Sequence, residues 1–127
     1  WFLDKMVNAC RAIRDQKEER SNSVAKKAML YIQENYSKDI SLDDVSGLVN
    51  ISPYYFSKIF KEETGENFIE YLTKIRIEKA KELLVKPDIS IKEAGIRSGY
   101  TDPNYFSRIF KKQTDMTPSE YKTRYGE

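Results

Sequence analysis

A chain of 127 residues has room for one ordinary domain or two very small ones. Apolar residues are 39% and charged residues 33%, a soluble globular balance, and no apolar run approaches the roughly 18 residues that cross a bilayer. Lys and Arg number 22 against 20 Asp and Glu, so the net charge of +2 is weak evidence for nucleic acid, and the distribution of charge has to decide.

Residues 1–20 contain no Gly or Pro and read as helical. Leu3, Met6, Cys10 and Ile13 follow a–d–a–d spacing, which fits a short coiled-coil seam. The same spacing fits a linker helix whose apolar side rests on an N-terminal domain outside this sequence. The chain starts at Trp1 without an initiator Met, and we read it as a fragment of a longer protein. From Arg14 to Ser23 every residue is polar, so 1–23 is taken as a linker helix and the folded domain is expected to begin after it.

Val24 to Tyr36 is a predicted helix with an apolar stripe of Ala25, Ala28, Met29, Ile32 and Tyr36. Ser41–Leu42–Asp43–Asp44 and Ser90–Ile91–Lys92–Glu93 each open a short helix, and Glu93 is expected to complete a capping box with Ser90. Ser46 and Gly95 are small residues where two helices can approach closely. Asn50 and Gly99 both tolerate a left-handed backbone in the turn that follows.

Each short helix leads into one copy of a repeat. The first runs from Ser52 through Pro53, Tyr54, Tyr55, Phe56, Ser57, Lys58, Ile59 and Phe60 to Lys61. The second begins 50 residues later at Asp102 and reads Pro103, Asn104, Tyr105, Phe106, Ser107, Arg108, Ile109, Phe110, Lys111. Ser52 and Asp102 are N-cap residues, and a proline follows at N1, where its missing N–H costs nothing. Phe56, Ile59, Phe60 and Phe106, Ile109, Phe110 form one buried stripe in each copy. The opposite stripe is Tyr54, Ser57, Lys58 and Lys61, then Asn104, Ser107, Arg108 and Lys111. All of these donate hydrogen bonds and none is acidic, which suits a helix in a DNA major groove. A helix, a tight turn and a second helix make a helix-turn-helix unit, and it occurs twice.

Between the copies, Gly65 ends one helix in the C′ role and Pro87 stops the next. That long helix carries two apolar stripes, Phe68, Leu72, Ile75 and Ile77, Ala80, Leu84, as a strut packed on two sides would. Thr117–Pro118–Ser119–Glu120 opens a last short helix towards Tyr125. The fold class is therefore all-α: two helix-turn-helix subdomains over 24–66 and 87–127, joined by a connecting helix over 67–86.

Catalysis and metal chemistry find little to work with. The sequence has no His, so neither His-activated nucleophiles nor His metal sites are available. Cys10 is alone, which leaves no internal disulfide and points to a reducing compartment. The five Gly are scattered and form no phosphate loop. We expect no enzyme, no cofactor and no metal. A tyrosine-rich protein-interaction module is the alternative, but it leaves two matched donor faces unexplained.

From Ile40–Ser41–Leu42–Asp43–Asp44–Val45, the stretch Ser52 to Lys61, Arg76 with Ala80, Leu83 and Leu84, Gly99–Tyr100, Asp102 to Lys111 and Thr117 to Tyr121, the chain resembles the DNA-binding domain of AraC/XylS-family bacterial transcription regulators. The resemblance covers about 24–125. It implies two recognition helices reading successive major grooves on one DNA face, with double-stranded DNA and RNA polymerase as partners in the cytoplasm. By it, Tyr54, Ser57 and Lys58 match base-reading positions of the first recognition helix, and Asn104, Ser107 and Arg108 those of the second. Lys61, Lys111 and Lys112 suit phosphates, and Tyr55 and Tyr105 join the core or the groove edge. Asp115 departs from the family, which usually has Gly there. Residues up to Ser23 also resemble the linker of response regulators, where a receiver domain precedes this module; a sugar-sensing domain is the rival. Homodimerisation through that domain or the linker is expected.

Overall fold

A computed structural model describes residues 24–126. The predicted linker helix and its heptad spacing lie outside these residues. The described residues form seven helices and no strand: α1 over 24–35, α2 Leu42–Leu48, α3 Pro53–Thr64, α4 Phe68–Leu84, α5 Ile91–Ser98, α6 Pro103–Thr114 and α7 Pro118–Tyr125. The two helix-turn-helix units are α2–α3 and α5–α6, and α4 is the long helix between them.

Packing divides the described chain into two compact units. The first comprises 24–31 and Leu42–Phe68. Its buried residues are Ala25, Ala28, Val45, Ser46, Phe56, Ile59, Phe60 and Phe68. Phe56 and Phe60 lie one helical turn apart with ring centroids at 5.4 Å, and α2 packs on α3. The second unit takes Ile32–Ser41 and everything from Ile69 onward, so α4 is almost wholly part of it. Its core gathers Ile77, Ala80, Leu83, Leu84, Ile89, Ala94, Tyr100, Phe106 and Phe110, with Ile91, Ile109 and Tyr121 packed alongside.

Two long cationic side chains fasten the second unit through backbone carbonyls. Arg76 donates from Nε to the Tyr36 carbonyl at 2.7 Å and from Nη2 to that of Lys38 at 2.9 Å. This ties the residues after α1 to α4. Lys122 donates all three ammonium protons, to the carbonyls of Leu84 at 3.0 Å, Lys86 at 2.9 Å and Ile89 at 2.8 Å. The end of a helix leaves its last carbonyls without intrahelical partners and carries partial negative charge, so a cation there satisfies both needs.

The helix ends follow the chemistry of their residues. Ser52, Ser90 and Thr117 accept from the backbone N–H three residues on, and Asp102 from that of Asn104. At Thr117 the reciprocal bond from Glu120 is also present, a complete capping box. Ser90 differs from expectation. Its hydroxyl caps the N–H of Glu93, but the Glu93 carboxylate turns to Arg97 Nη2 at 2.6 Å. A charged partner one turn ahead outcompetes the neutral N-cap amide.

Asp115 occupies the left-handed C-cap at φ 63°, and its N–H bonds the Lys111 carbonyl at 2.8 Å, as Gly65 does at φ 81° with Lys61. The motif survives the exchange of Gly for Asp at an energetic cost. Asp115→Gly is expected to raise stability by up to about 1 kcal/mol, read as a higher denaturant midpoint.

Candidate nucleic-acid interface

Both turns of the helix-turn-helix units are built alike. In the first, Ile51 N–H reaches the Ser46 carbonyl at 3.2 Å while Asn50 takes φ 58°. In the second, Tyr100 N–H reaches the Gly95 carbonyl at 2.8 Å while Gly99 takes φ 111°. A left-handed residue lets the following N–H turn back onto the helix just ended. Close approach sets residue size on the second unit's α5. A Cβ on Gly95 would stand 2.8 Å from Phe106 Cδ2, so Phe106 seats on bare backbone.

That geometry turns the predicted faces outward. On α3, Tyr54 is 83% exposed, Lys58 and Lys61 are exposed and Ser57 is half-buried, while Phe56, Ile59 and Phe60 are buried. On α6, Asn104, Arg108, Lys111 and Lys112 are exposed and Ser107 is half-buried, while Phe106 and Phe110 are buried. Ser107 edges a recess of about 200 Å³ with Gly95, Ile96, Tyr100, Pro103 and Phe106 among its walls. Each set therefore shares the face of its own helix. Elsewhere Lys79, Lys81 and Arg97 pair with neighbouring glutamates. No ion pair among the described residues engages Lys58, Lys61, Lys111 or Lys112, whose charges face solvent.

Tyr55 and Tyr105 differ from a core reading, being 48% and 46% exposed. The residue before each buried Phe lies at the rim of the helix, not beneath it. Arg108 leans over the Tyr105 ring, its guanidinium carbon 5.8 Å from the centroid. Tyr105 neighbours Tyr100, whose hydroxyl is pushed above its ordinary pKa of 10.0 by burial, with the Arg76 charge pulling the other way.

Sequence reasoning missed three features here. Thr64 and Thr114 each bond the carbonyl four residues back at 2.7 Å and the carbonyl two residues ahead at 3.0 Å. They stand at the same 50-residue offset, so extending the repeat past Lys61 and Lys111 finds them. The Lys122 and Arg76 carbonyl contacts had no signal, because a cation's backbone partner is invisible in a residue pattern. Among the described residues, no group of three or more His, Cys, Asp or Glu side chains is placed to hold a metal ion, and no helix is long and apolar enough to cross a membrane.

Two helix-turn-helix units, each showing hydrogen-bond donors on its second helix, define a DNA-binding protein of the double helix-turn-helix class. The family described as Helix-turn-helix domain matches residues 45–124. The chain belongs to this family, in its AraC-type branch of DNA-binding transcription regulators. It is 37% identical over 106 residues to the regulatory protein PocR of Salmonella typhimurium, covering 84% of this chain and 35% of that protein. The C-terminal domain of AraT, a response regulator from Geobacillus stearothermophilus, is 40% identical with a TM-score of 0.79, covering 82% of this chain and 87% of that one. The DNA-binding domain of AdpA, a global transcriptional factor solved with a target DNA, shares the fold at 22% identity and a TM-score of 0.75, covering 80% and 91%. The chain spans about a third of the length of PocR.

Proposed function

We propose that this chain supplies the sequence-specific DNA contacts of a bacterial transcription regulator, with α3 and α6 each entering a major groove. The observation that carries the reading is the repeated helix itself: a side-chain N-cap followed by Pro, two buried Phe one turn apart, and hydrogen-bond donors on the opposite face. Tyr54, Ser57 and Lys58 on α3 and Asn104, Ser107 and Arg108 on α6 read bases. Lys61, Lys111 and Lys112 neutralise phosphates. Successive major grooves on one face of DNA recur about every 34 Å, and each helix reads one of them. The chain carries no catalysis of its own and works in the cytoplasm. A further N-terminal domain receives the signal, as a receiver or a ligand sensor, and supports dimerisation; RNA polymerase is the downstream partner. The likeness to the AraT response-regulator domain favours a receiver.

Selection of bound duplexes from a random pool, followed by footprinting, tests this reading. Two short elements about one turn apart on the same face are expected. Arg108→Ala should relax preference at one base pair by about 1–3 kcal/mol, the worth of a bidentate arginine–guanine contact. Lys111→Ala should weaken all sequences alike and lower the salt slope by about 0.9. A protein-interaction module would instead show no enrichment and little salt dependence.

A further inference from the structure

Arg108 ends a column of two neighbouring rings with a cation at either end. At the far end Arg76 is fixed by the carbonyls of Tyr36 and Lys38 at 2.7 and 2.9 Å. Its guanidinium carbon lies 5.4 Å from the centroid of the Tyr100 ring. Tyr100 is 6% exposed and stacks on Phe106 with centroids at 5.6 Å, so its ring is immobilised on two sides. Tyr105 comes next, its centroid 5.8 Å from that of Tyr100. Arg108 completes the column, 5.8 Å from the Tyr105 centroid.

Tyr105 is 46% exposed, so burial does not account for a large aromatic there. What its ring does have is one neighbour that is held and one that is not. Arg108 follows it by three residues, the spacing at which side chains on one helix face meet. An exposed arginine has many rotamers and loses most of that freedom when its planar fork docks on a base. A ring face beside it attracts the guanidinium and thins out those rotamers before DNA arrives.

We propose that Tyr105 is a positioning residue for Arg108: held by Tyr100, its ring orients the guanidinium for the base edge. The inference rests on the base-contact reading of Arg108. An exposed cation–ring contact corresponds to about a two- to fivefold preference, and that sets the expected size of the effect.

The experiment compares binding of the chain to its selected duplex and to duplexes altered at the Arg108-dependent base pair. The proteins are the parent, Tyr105→Phe, Tyr105→Leu, Tyr105→Met, Arg108→Ala and Tyr105→Leu combined with Arg108→Ala, all at one salt concentration and each checked by thermal unfolding. Tyr105→Phe keeps the ring and is expected to keep the parent's discrimination. Tyr105→Leu and Tyr105→Met are expected to lose about two- to fivefold at that base pair alone, with an unchanged salt slope. In the Arg108→Ala background, Tyr105→Leu is expected to change discrimination no further. Uniform weakening on all duplexes by Tyr105→Leu and Tyr105→Met would mean a merely structural role and would overturn the inference. Uniform weakening by Tyr105→Phe would overturn it too, since the hydroxyl would then be gripping the backbone. If Arg108→Ala relaxes the base pair and neither Tyr105→Leu nor Tyr105→Met does, the inference falls and the reading of Arg108 stands. If Arg108→Ala leaves discrimination intact, both fall.

Discussion

Phe110→Ala is expected to destabilise the protein by about 3–5 kcal/mol. Phe110 is wholly buried, with the Phe106 ring at 5.8 Å on one side and the edge of Tyr121 at 5.4 Å on the other. Truncation loses the transfer free energy of the ring and leaves a cavity between α6 and α7. Neither neighbour closes it easily. Phe106 is pressed on Gly95, and α7 is pinned by Lys122 to three carbonyls. Against a typical domain stability of about 5–15 kcal/mol, such a loss takes a large share. The denaturant midpoint should fall accordingly at an unchanged slope. A loss below about 1 kcal/mol would mean that α7 repacks into the space, contrary to a rigid clamp.

Gly99→Ala is expected to cost more than Gly65→Ala, although both replace a left-handed glycine at a helix end. The left-handed backbone alone costs an L-residue about 1–2 kcal/mol, and that is the whole expectation at Gly65, where an added Cβ meets nothing within 4 Å. At Gly99 the same Cβ would stand 2.7 Å from Arg76 Nε and 2.8 Å from the Tyr36 carbonyl oxygen. Those atoms are bonded to each other, so one cannot retreat without losing the other. The difference between the two variants, read from denaturant midpoints, isolates the clash from the backbone term. Equal losses would show that the Arg76–Tyr36 contact yields freely.

Local rules made much of this fold legible. Caps at Ser52, Asp102 and Thr117, prolines at N1 and the left-handed glycines each act within a few residues, so their signals lie side by side in the chain. The donor faces were legible for the same reason, since a helix places i, i+3 and i+4 together whatever surrounds it. Competition between partners was harder. Glu93 satisfies the capping-box pattern with Ser90, yet Arg97 on the next turn takes its carboxylate. Tyr105 shares the repeat with buried residues, but its rim position leaves it half exposed and beside Arg108. Contacts over long separations left no pattern at all. Arg76 to Tyr36 and Lys122 to Leu84 join residues about forty apart, and their acceptors are backbone atoms that every residue carries.

The Lys122 clamp has a consequence for the order in which the protein is made. Synthesis runs from the N-terminus, so α3, α4, α5 and α6 all exist before Lys122 does. Until it emerges from the ribosome, the carbonyls of Leu84, Lys86 and Ile89 lack the ammonium that binds them, and Phe110 lacks the edge of Tyr121. The second unit is therefore closed from its C-terminal side. A nascent chain stalled just short of Pro118 would hold both α3 and α6 and still display an open core.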